Sequence, residues 1–428
     1  MRARRLVPML LVATLVVTTA LVALNGDQSS RPVAASAEAP DGFVRTIEPR
    51  RVYDSRESGA PLTSSATGVE HVIDVFGPLG ASSDVIGVFA NITIDRPSSD
   101  GFLTAFPAGR SRPDASTISF EAGITVANAT VLARGSTNEI TVALVTPGVA
   151  GSAHVIVDVF AVITSDPIGS GRIASIDPGR VYDSRTSTPF ASGESRRIRL
   201  TGASLSGSSA VVPTDGSAVA VAVNVTAVND LAGSRSTWIG TSNGTSVLNV
   251  EAGDVAANFA LVPLGADGSI ELLNASGSTH LVVDVWGYVT TSGVTTTAPG
   301  RVVLLDVPFR AVDSRPTRLG AGRAEPWDFS AFEASLAADR TGYSSADALL
   351  GNVTATGLTR RYPGLAVSSF LTVYPTGTAR PSTSNVNIGE GETVATLGLL
   401  RLGSDSLSVY NDDGSVDYVI DVLAVITG

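Results

Sequence analysis

Three copies of one short phrase hold the side chains of this chain best suited to chemistry. Pro-x-Arg-x-x-Asp-Ser-Arg occurs as Pro49, Arg51, Asp54, Ser55 and Arg56, then as Pro178, Arg180, Asp183, Ser184 and Arg185, and again as Pro308, Arg310, Asp313, Ser314 and Arg315. The three phrase aspartates lie 129 and 130 positions apart. A further carboxylate recurs late in each copy, as Asp158, Asp284 and Asp421. Two chemistries use such groups. Paired carboxylates hydrolyse glycosidic bonds. The planar fork of Arg locks a carboxylate with two hydrogen bonds.

Strand alternation weighs the two. In the first closing segment Val155, Val157 and Val159 share one face, and His154, Ile156, Asp158 and Phe160 the other. A carboxylate among apolar neighbours is costly unless it is paired. The expected partner is an Arg of the opening phrase. The predicted latches join Arg51 or Arg56 to Asp158, Arg180 or Arg185 to Asp284, and Arg310 or Arg315 to Asp421, with Asp54, Asp183 and Asp313 beside them. The competing reading makes Asp54 and Arg56 a ligand site, for instance for a glycan hydroxyl. The latch is preferred, because repeated polar residues inside apolar strands usually satisfy one another. Three identical active sites on three small units would be unusual, so no catalytic residue is assigned.

Other polar and aromatic residues read as structure. Asn91, Asn224 and Asn352 each end an apolar run in an Asn-x-Thr phrase, suited to bonding backbone at a bulge or corner. His154 and His280 hold matching positions, where the third copy has Asp417. Asn411-Asp412-Asp413-Gly414 lacks the alternating oxygens of a calcium loop and reads as a hairpin turn. Trp286 is expected in a core. Trp238 and Trp327 fall where copies differ and are the weak ligand-binding candidates. No metal and no cofactor is called for.

The elements that position these residues are strands. Ala218–Val225 is apolar on both faces. Short strands with Gly-rich turns follow one another through each copy, about eight per copy. The expected fold is all-β, three tandem antiparallel β-sandwich or jelly-roll-like repeats, each able to fold alone. The alternative is a six-bladed propeller with two blades per repeat. Phe329–Asp339 is the one place for a short helix. The boundaries are 43–165, 172–291 and 302–428, preceded by a signal peptide or N-terminal membrane anchor over 1–25 and a flexible linker over 26–42.

The leader has a basic start, an apolar run over Leu6–Leu24 and a small-x-small site at Ala35-Ser36-Ala37. Either outcome places the body outside the cytoplasm, secreted or tethered to the cell surface. The 428 residues contain no cysteine, so disulfides and thiolate metal sites are excluded. All 29 basic residues are Arg, against 40 acidic ones, for a net charge of −11. That balance argues against a nucleic-acid partner. Contact with a membrane is expected only through an uncleaved leader.

Further phrases recur in the same order. They are Asn-x-Thr, Phe102-Leu103-Thr104 matched by Phe370-Leu371-Thr372, and Ala127-Asn128 matched by Ala257-Asn258. Arg380-Pro381-Ser382-Thr383-Ser384-Asn385-Val386-Asn387 and Val282-Val283-Asp284-Val285-Trp286-Gly287-Tyr288 are the fullest examples of two others. Together these phrases resemble a repeat found in exported proteins of actinobacteria, over nearly all the chain after residue 43. The resemblance implies secreted accessory modules, sometimes appended to hydrolases. This chain departs from it with Ser in each Asp-Ser-Arg, and in lacking the closing Gly-Tyr in copies one and three.

The expected function is a non-catalytic surface array for adhesion, envelope association or glycan binding, with a cell-envelope glycan or another surface protein as partner. A secreted carbohydrate-active hydrolase and a structural subunit of a surface assembly are the alternatives.

Overall fold

The computed structural model describes residues 41–231, 235–241, 245–292, 300–340, 343–360 and 367–428. The leader and most of the linker lie outside the described residues.

Each copy folds into two antiparallel sheets. In copy one the long sheet orders its strands Phe43–Asp54, Gly151–Thr164, Val85–Asp95, Val126–Ala133. The short sheet orders Val69–Asp74, Glu139–Val145, Gly101–Pro107, Ile118–Phe120. Leaving aside the short strand Leu62–Ser64, the chain order is 1-8-3-6 in one sheet and 2-7-4-5 in the other, the strand order of a jelly roll. Copy two repeats it with a long sheet of Ile173–Asp183, His280–Thr290, Ala218–Val228 and Val255–Pro263. Copy three does so with Val302–Asp313, Ser415–Thr427, Ala346–Thr359 and Thr393–Arg401. Its extra helix spans Ser330–Asp339.

Val and Ile runs make these strands, and alternation sends their two faces to different cores. In Ala218–Val228, Val221, Val223, Val225 and Ala227 fill the sandwich of copy two. Ala220 and Ala222 point the other way, into a core that all three copies share. That shared core also holds Phe89 and Phe160 from copy one, Phe259 and Trp286 from copy two, and Leu350 and Leu397 from copy three. Phe89 lies between Phe160 and Phe259, with centroids 6.2 and 6.4 Å away, and Phe259 stacks on Trp286 at 6.1 Å.

The copies therefore close into a ring rather than hanging as beads. The inner-edge strands of the six sheets follow one another around it: Val126–Ala133, Ser246–Val250, Val255–Pro263, Val386–Gly389, Thr393–Arg401, Ile118–Phe120, and back to the first. Long and short sheets alternate around it, giving the ring succession of a six-bladed propeller while each copy keeps its own sandwich.

One end of the ring is tied by three backbone bridges. Gly42 and Val302 exchange two N–H···O bonds of 2.8 Å. Val44 and Gly171 do the same at 2.8 Å, and Ile173 and Gly300 at 2.8 and 3.0 Å. Each Gly-x-Val or Gly-x-Ile segment thus bridges the other two. Glycine is required at two corners, since a Cβ on Gly171 would overlap the Thr290 carbonyl oxygen and one on Gly300 that of Thr427.

Two outcomes test the ring. Gly300→Ala should lower stability by about 1–3 kcal/mol through overpacking against backbone, read as a lower melting temperature. Residues 172–291 alone would expose the apolar face that the shared core covers, so the isolated copy is expected to aggregate or stay partly unfolded by circular dichroism and gel filtration. A well-folded monomer would show that each sandwich suffices, as the sequence led us to expect.

Candidate functional site

The repeated charges meet where opening and closing strands pair. Register places Arg51 opposite Asp158, Arg180 opposite Asp284 and Arg310 opposite Asp421, each beside a bulge in the opening strand. All three pairs are bidentate. Arg51 Nε and Nη2 donate to Asp158 Oδ1 and Oδ2 at 2.9 and 3.1 Å. The distances are 2.8 and 3.2 Å for Arg180 with Asp284, and 3.0 and 3.3 Å for Arg310 with Asp421. The Pro-x-Arg arginine makes each of these pairs. The second arginine turns back on its own phrase: Arg56 bonds Asp54, Arg185 bonds Asp183 and Arg315 bonds Asp313. Arg51 also reaches Asp54 at 3.2 Å, which links the four charges of copy one.

The phrase serine closes the strand end. Ser55 Oγ accepts from Val155 N at 3.0 Å, Ser184 Oγ from Leu281 N at 2.8 Å and Ser314 Oγ from Tyr418 N at 2.8 Å. His154 Nδ1 and His280 Nδ1 lie 3.1 Å from Ser55 Oγ and Ser184 Oγ. Copy three puts Asp417 there, paired with Arg318 at 3.1 Å. All three serines are buried, so the Ser–His contacts belong to strand closure.

The asparagines do more than end strands. Asn91, Asn224 and Asn352 stand opposite Asp158, Asp284 and Asp421 on the face that meets the next copy. Asn91 Nδ2 donates to Ser246 O at 2.9 Å, Asn224 Nδ2 to Ser384 O at 2.7 Å, and Asn352 Nδ2 to Ser116 O at 2.6 Å. Copy one holds two, two holds three, and three holds one. The aspartates add to two of these grips. Ser116 N donates to Asp421 at 3.4 Å, and the Ser384 backbone lies close enough to Asp284 to favour its ionised form.

The Ala-Asn pair completes the circuit. Asn258 Nδ2 donates to Asn91 Oδ1 at 2.9 Å, and Asn128 Nδ2 to Asn352 Oδ1 at 2.9 Å. Copy three has Thr396 at this position, and Asn224 Oδ1 is buried there with no partner. The recurring Ser and Ala-Asn phrases were visible in the sequence. Their role was not, because it lies between copies.

The tryptophans divide. Trp286 is in the shared core. Trp327 donates from Nε1 to the Tyr418 hydroxyl at 2.7 Å, and Tyr418 donates to Glu325 at 2.6 Å, so its polar tip is engaged. Trp238 is half-buried and pairs with Asn249 across a hairpin.

Burial pushes the Asp284 and Asp421 carboxyls above the usual range, while Arg180 and Arg310 pull them down. Hydrogen bonding from Arg56 holds Asp54 low. At Asp183 and Asp313 burial opposes ionisation most, yet Arg185 and Arg315 keep both below the usual range.

Two of the cavities among the described residues lie where copies meet. One of about 500 Å³ lies between copies one and two. The other, about 480 Å³, is a mouth at the end of the ring away from the bridges, with Glu121, Glu251 and Glu392 in its lining.

No family model matches the chain, and no curated protein matches it. Two solved viral structures overlap it weakly. One, from a study of the triple jelly roll fold and turret assembly in an archaeal virus, has a TM-score of 0.18 and 10% identity over 92% of this chain and 98% of its own. The other, from Sulfolobus turreted icosahedral virus, has a TM-score of 0.18 and 11% identity over 93% and 99%. Overlap at that level carries neither fold nor function; the fold stands on the strand order itself.

Three measurements check the site. Asp284→Ala leaves Arg180 only its longer contact to Asp183, at 3.5 Å, and should cost about 3 kcal/mol, the low end for a broken buried pair because Arg180 keeps that contact and some water. Thr396→Asn should supply the missing donor to Asn224 and stabilise by about 1 kcal/mol, seen as a higher melting temperature. The pH profile has two limbs. A raised carboxyl in the folded state binds its proton before the unfolded chain does, so Asp284 and Asp421 favour folding as pH falls through their raised values. The depressed Asp54, Asp183 and Asp313 stabilise fully above the unfolded carboxylate value, about 4, and lose that contribution as pH falls through their folded values. Melting temperature should hold or rise from pH 8 toward about 5 and drop below about 4. A steady fall between 8 and 5 would contradict this assignment.

Proposed function

We propose that the chain is a non-catalytic surface module, exported and acting outside the cytoplasm, in which three jelly-roll copies form one rigid ring for adhesion or for binding an envelope glycan or another surface protein. The observation that carries this reading is the use of the recurring charges. Arg51, Arg180 and Arg310 each commit a bidentate fork to a buried aspartate. Asp54, Asp183 and Asp313 are likewise held by arginine. A glycosidase needs one carboxyl free to donate a proton and another free to attack or to activate water. Carboxylates locked to guanidinium serve neither role. Export is supported by the leader pattern in the sequence, and the acidic body fits a partner that is not nucleic acid.

The experiment is a glycan-array screen of purified residues 41–428, with parallel incubation on the polysaccharides that bind. Retention without release of new reducing ends is expected. Release of reducing ends, abolished by Asp54→Asn, would overturn the non-catalytic reading in favour of the hydrolase. Self-assembly without retention on any glycan would favour the structural subunit.

A further inference from the structure

One sheet face of copy three carries rings that its counterparts lack. The short sheet of copy three orders its strands Arg323–Asp328, Ser406–Asn411, Ser368–Pro375 and Val386–Gly389. Leu371, Val373, Val386, Leu407 and Val409 point into the sandwich core. Alternation therefore sends Phe370, Tyr374, Asn387 and Tyr410 to the outer face, with Ala324 and Pro326 exposed on the neighbouring strand. The rings of Phe370 and Tyr410 lie 6.3 Å apart. Asp412 is exposed next to them. Its amide donates to Phe370 O at 3.2 Å, and its Oδ1 accepts from the Tyr410 hydroxyl at 3.2 Å.

Register shows what is particular to this face. Tyr410 stands opposite Thr372, the place of Ala143 opposite Thr104 in copy one and of Leu273 opposite Gly240 in copy two. Val145, opposite Phe102, holds the place of Asp412 in copy one. Tyr374 is half-buried where Phe106 of copy one is only 1% exposed.

The same comparison frees an arginine. Arg112-Pro113 and Arg380-Pro381 hold matching positions in the hairpins of copies one and three. Arg112 uses Nη1 on Thr67 O at 2.9 Å. Arg380 instead lies over the Tyr410 ring, 3.9 Å from its centroid, and among the described residues it makes no hydrogen bond and no ion pair. Pro381 and Ser382 pack beside Gly207 of copy two, which seats the hairpin. The guanidinium is thus held by its flat face while its N–H donors stay unspent.

We infer that this face is the glycan site of the module and that it takes a neutral sugar ring, a reading that rests on the glycan binding proposed above and gives it a place. A pyranose has apolar C–H faces and a polar rim. Phe370, Tyr374 and Tyr410 offer ring surface to the first. Arg380 donates to hydroxyl oxygens, Asp412 accepts from hydroxyl hydrogens, and Asn387, opposite Phe370, can do both. One guanidinium and one carboxylate flank the rings, which suits a ligand without net charge. A docked protein would call for exposed aliphatic area. Among the described residues the exposed large aliphatic side chains, such as Val72, Ile168 and Val211, all lie outside copy three.

The test is a printed array of neutral hexose and N-acetylhexosamine oligosaccharides, with uronate-containing ones alongside, probed with residues 41–428 and with variants. Retention on neutral sugars is expected. Arg380→Ala should weaken it by about tenfold, and Tyr410→Ala by about fivefold to tenfold. Arg112→Ala, the matching change in copy one, should leave it unaltered. Melting curves establish that each variant is folded, and Arg380→Ala, on an exposed hairpin, stands as the test if Tyr410→Ala is not. Retention indifferent to Arg380→Ala, an equal loss with Arg112→Ala, or retention on uronate sugars alone would each overturn this site while leaving glycan binding in place. Failure of the unaltered chain to bind any sugar would overturn the glycan reading itself, and this site with it.

Discussion

A carboxylate placed in the middle of an apolar strand face has to be matched or the strand cannot be buried. Asp158, Asp284 and Asp421 are almost wholly removed from solvent, and the rest of the architecture answers to them. The arginine that satisfies each one ties the first strand of a copy to its last. The asparagine beside each one grips the next copy. One short polar stripe on each long sheet therefore does two things: it closes a sandwich and it sets the direction in which the sandwiches join. The apolar residues around that stripe supply the area, and the stripe supplies the register, since a one-residue slip would turn the charges into the sandwich core.

The division of labour explains why polar residues recur more faithfully than apolar ones. Phe160, Trp286 and Leu423 fill equivalent places in the shared core with different shapes, because volume is shared among neighbours there and can be traded. The Arg–Asp geometry cannot be traded in that way, as a guanidinium fork fits a carboxylate at fixed spacing. Where the polar circuit does break, at Thr396, the break is felt in another copy, at Asn224.

Much of this was legible in the chain. Periodic spacing of Asp54, Asp183 and Asp313 exposed the copies, and alternation around Asp158 called for a basic partner. Alternation alone could not choose between Arg51 and Arg56, because the bulge that brings Arg51 opposite Asp158 leaves no mark in residue types. The ring was harder to see. Ala220 and Ala222 look like ordinary interior residues of a central strand, and nothing local distinguishes a face that packs on its own sheet from one that packs on two other copies. The roles of Ser116, Ser246 and Ser384 were hidden for the same reason. Gly42, Gly171 and Gly300 repeat as faithfully as the charges, but glycine in a joint reads first as linker.

The triangle of bridges at Gly42, Gly171 and Gly300 also fixes how the molecule is held. Asp41 pairs with Arg301, whose amide donates to Thr427 Oγ1 at 3.0 Å, so the polypeptide enters and leaves the ring at one corner of that apex. Asp41 therefore sits at the tied pole of the ring. The glutamate-rimmed opening lies at the far pole, so whatever enters it does so from the side opposite Asp41.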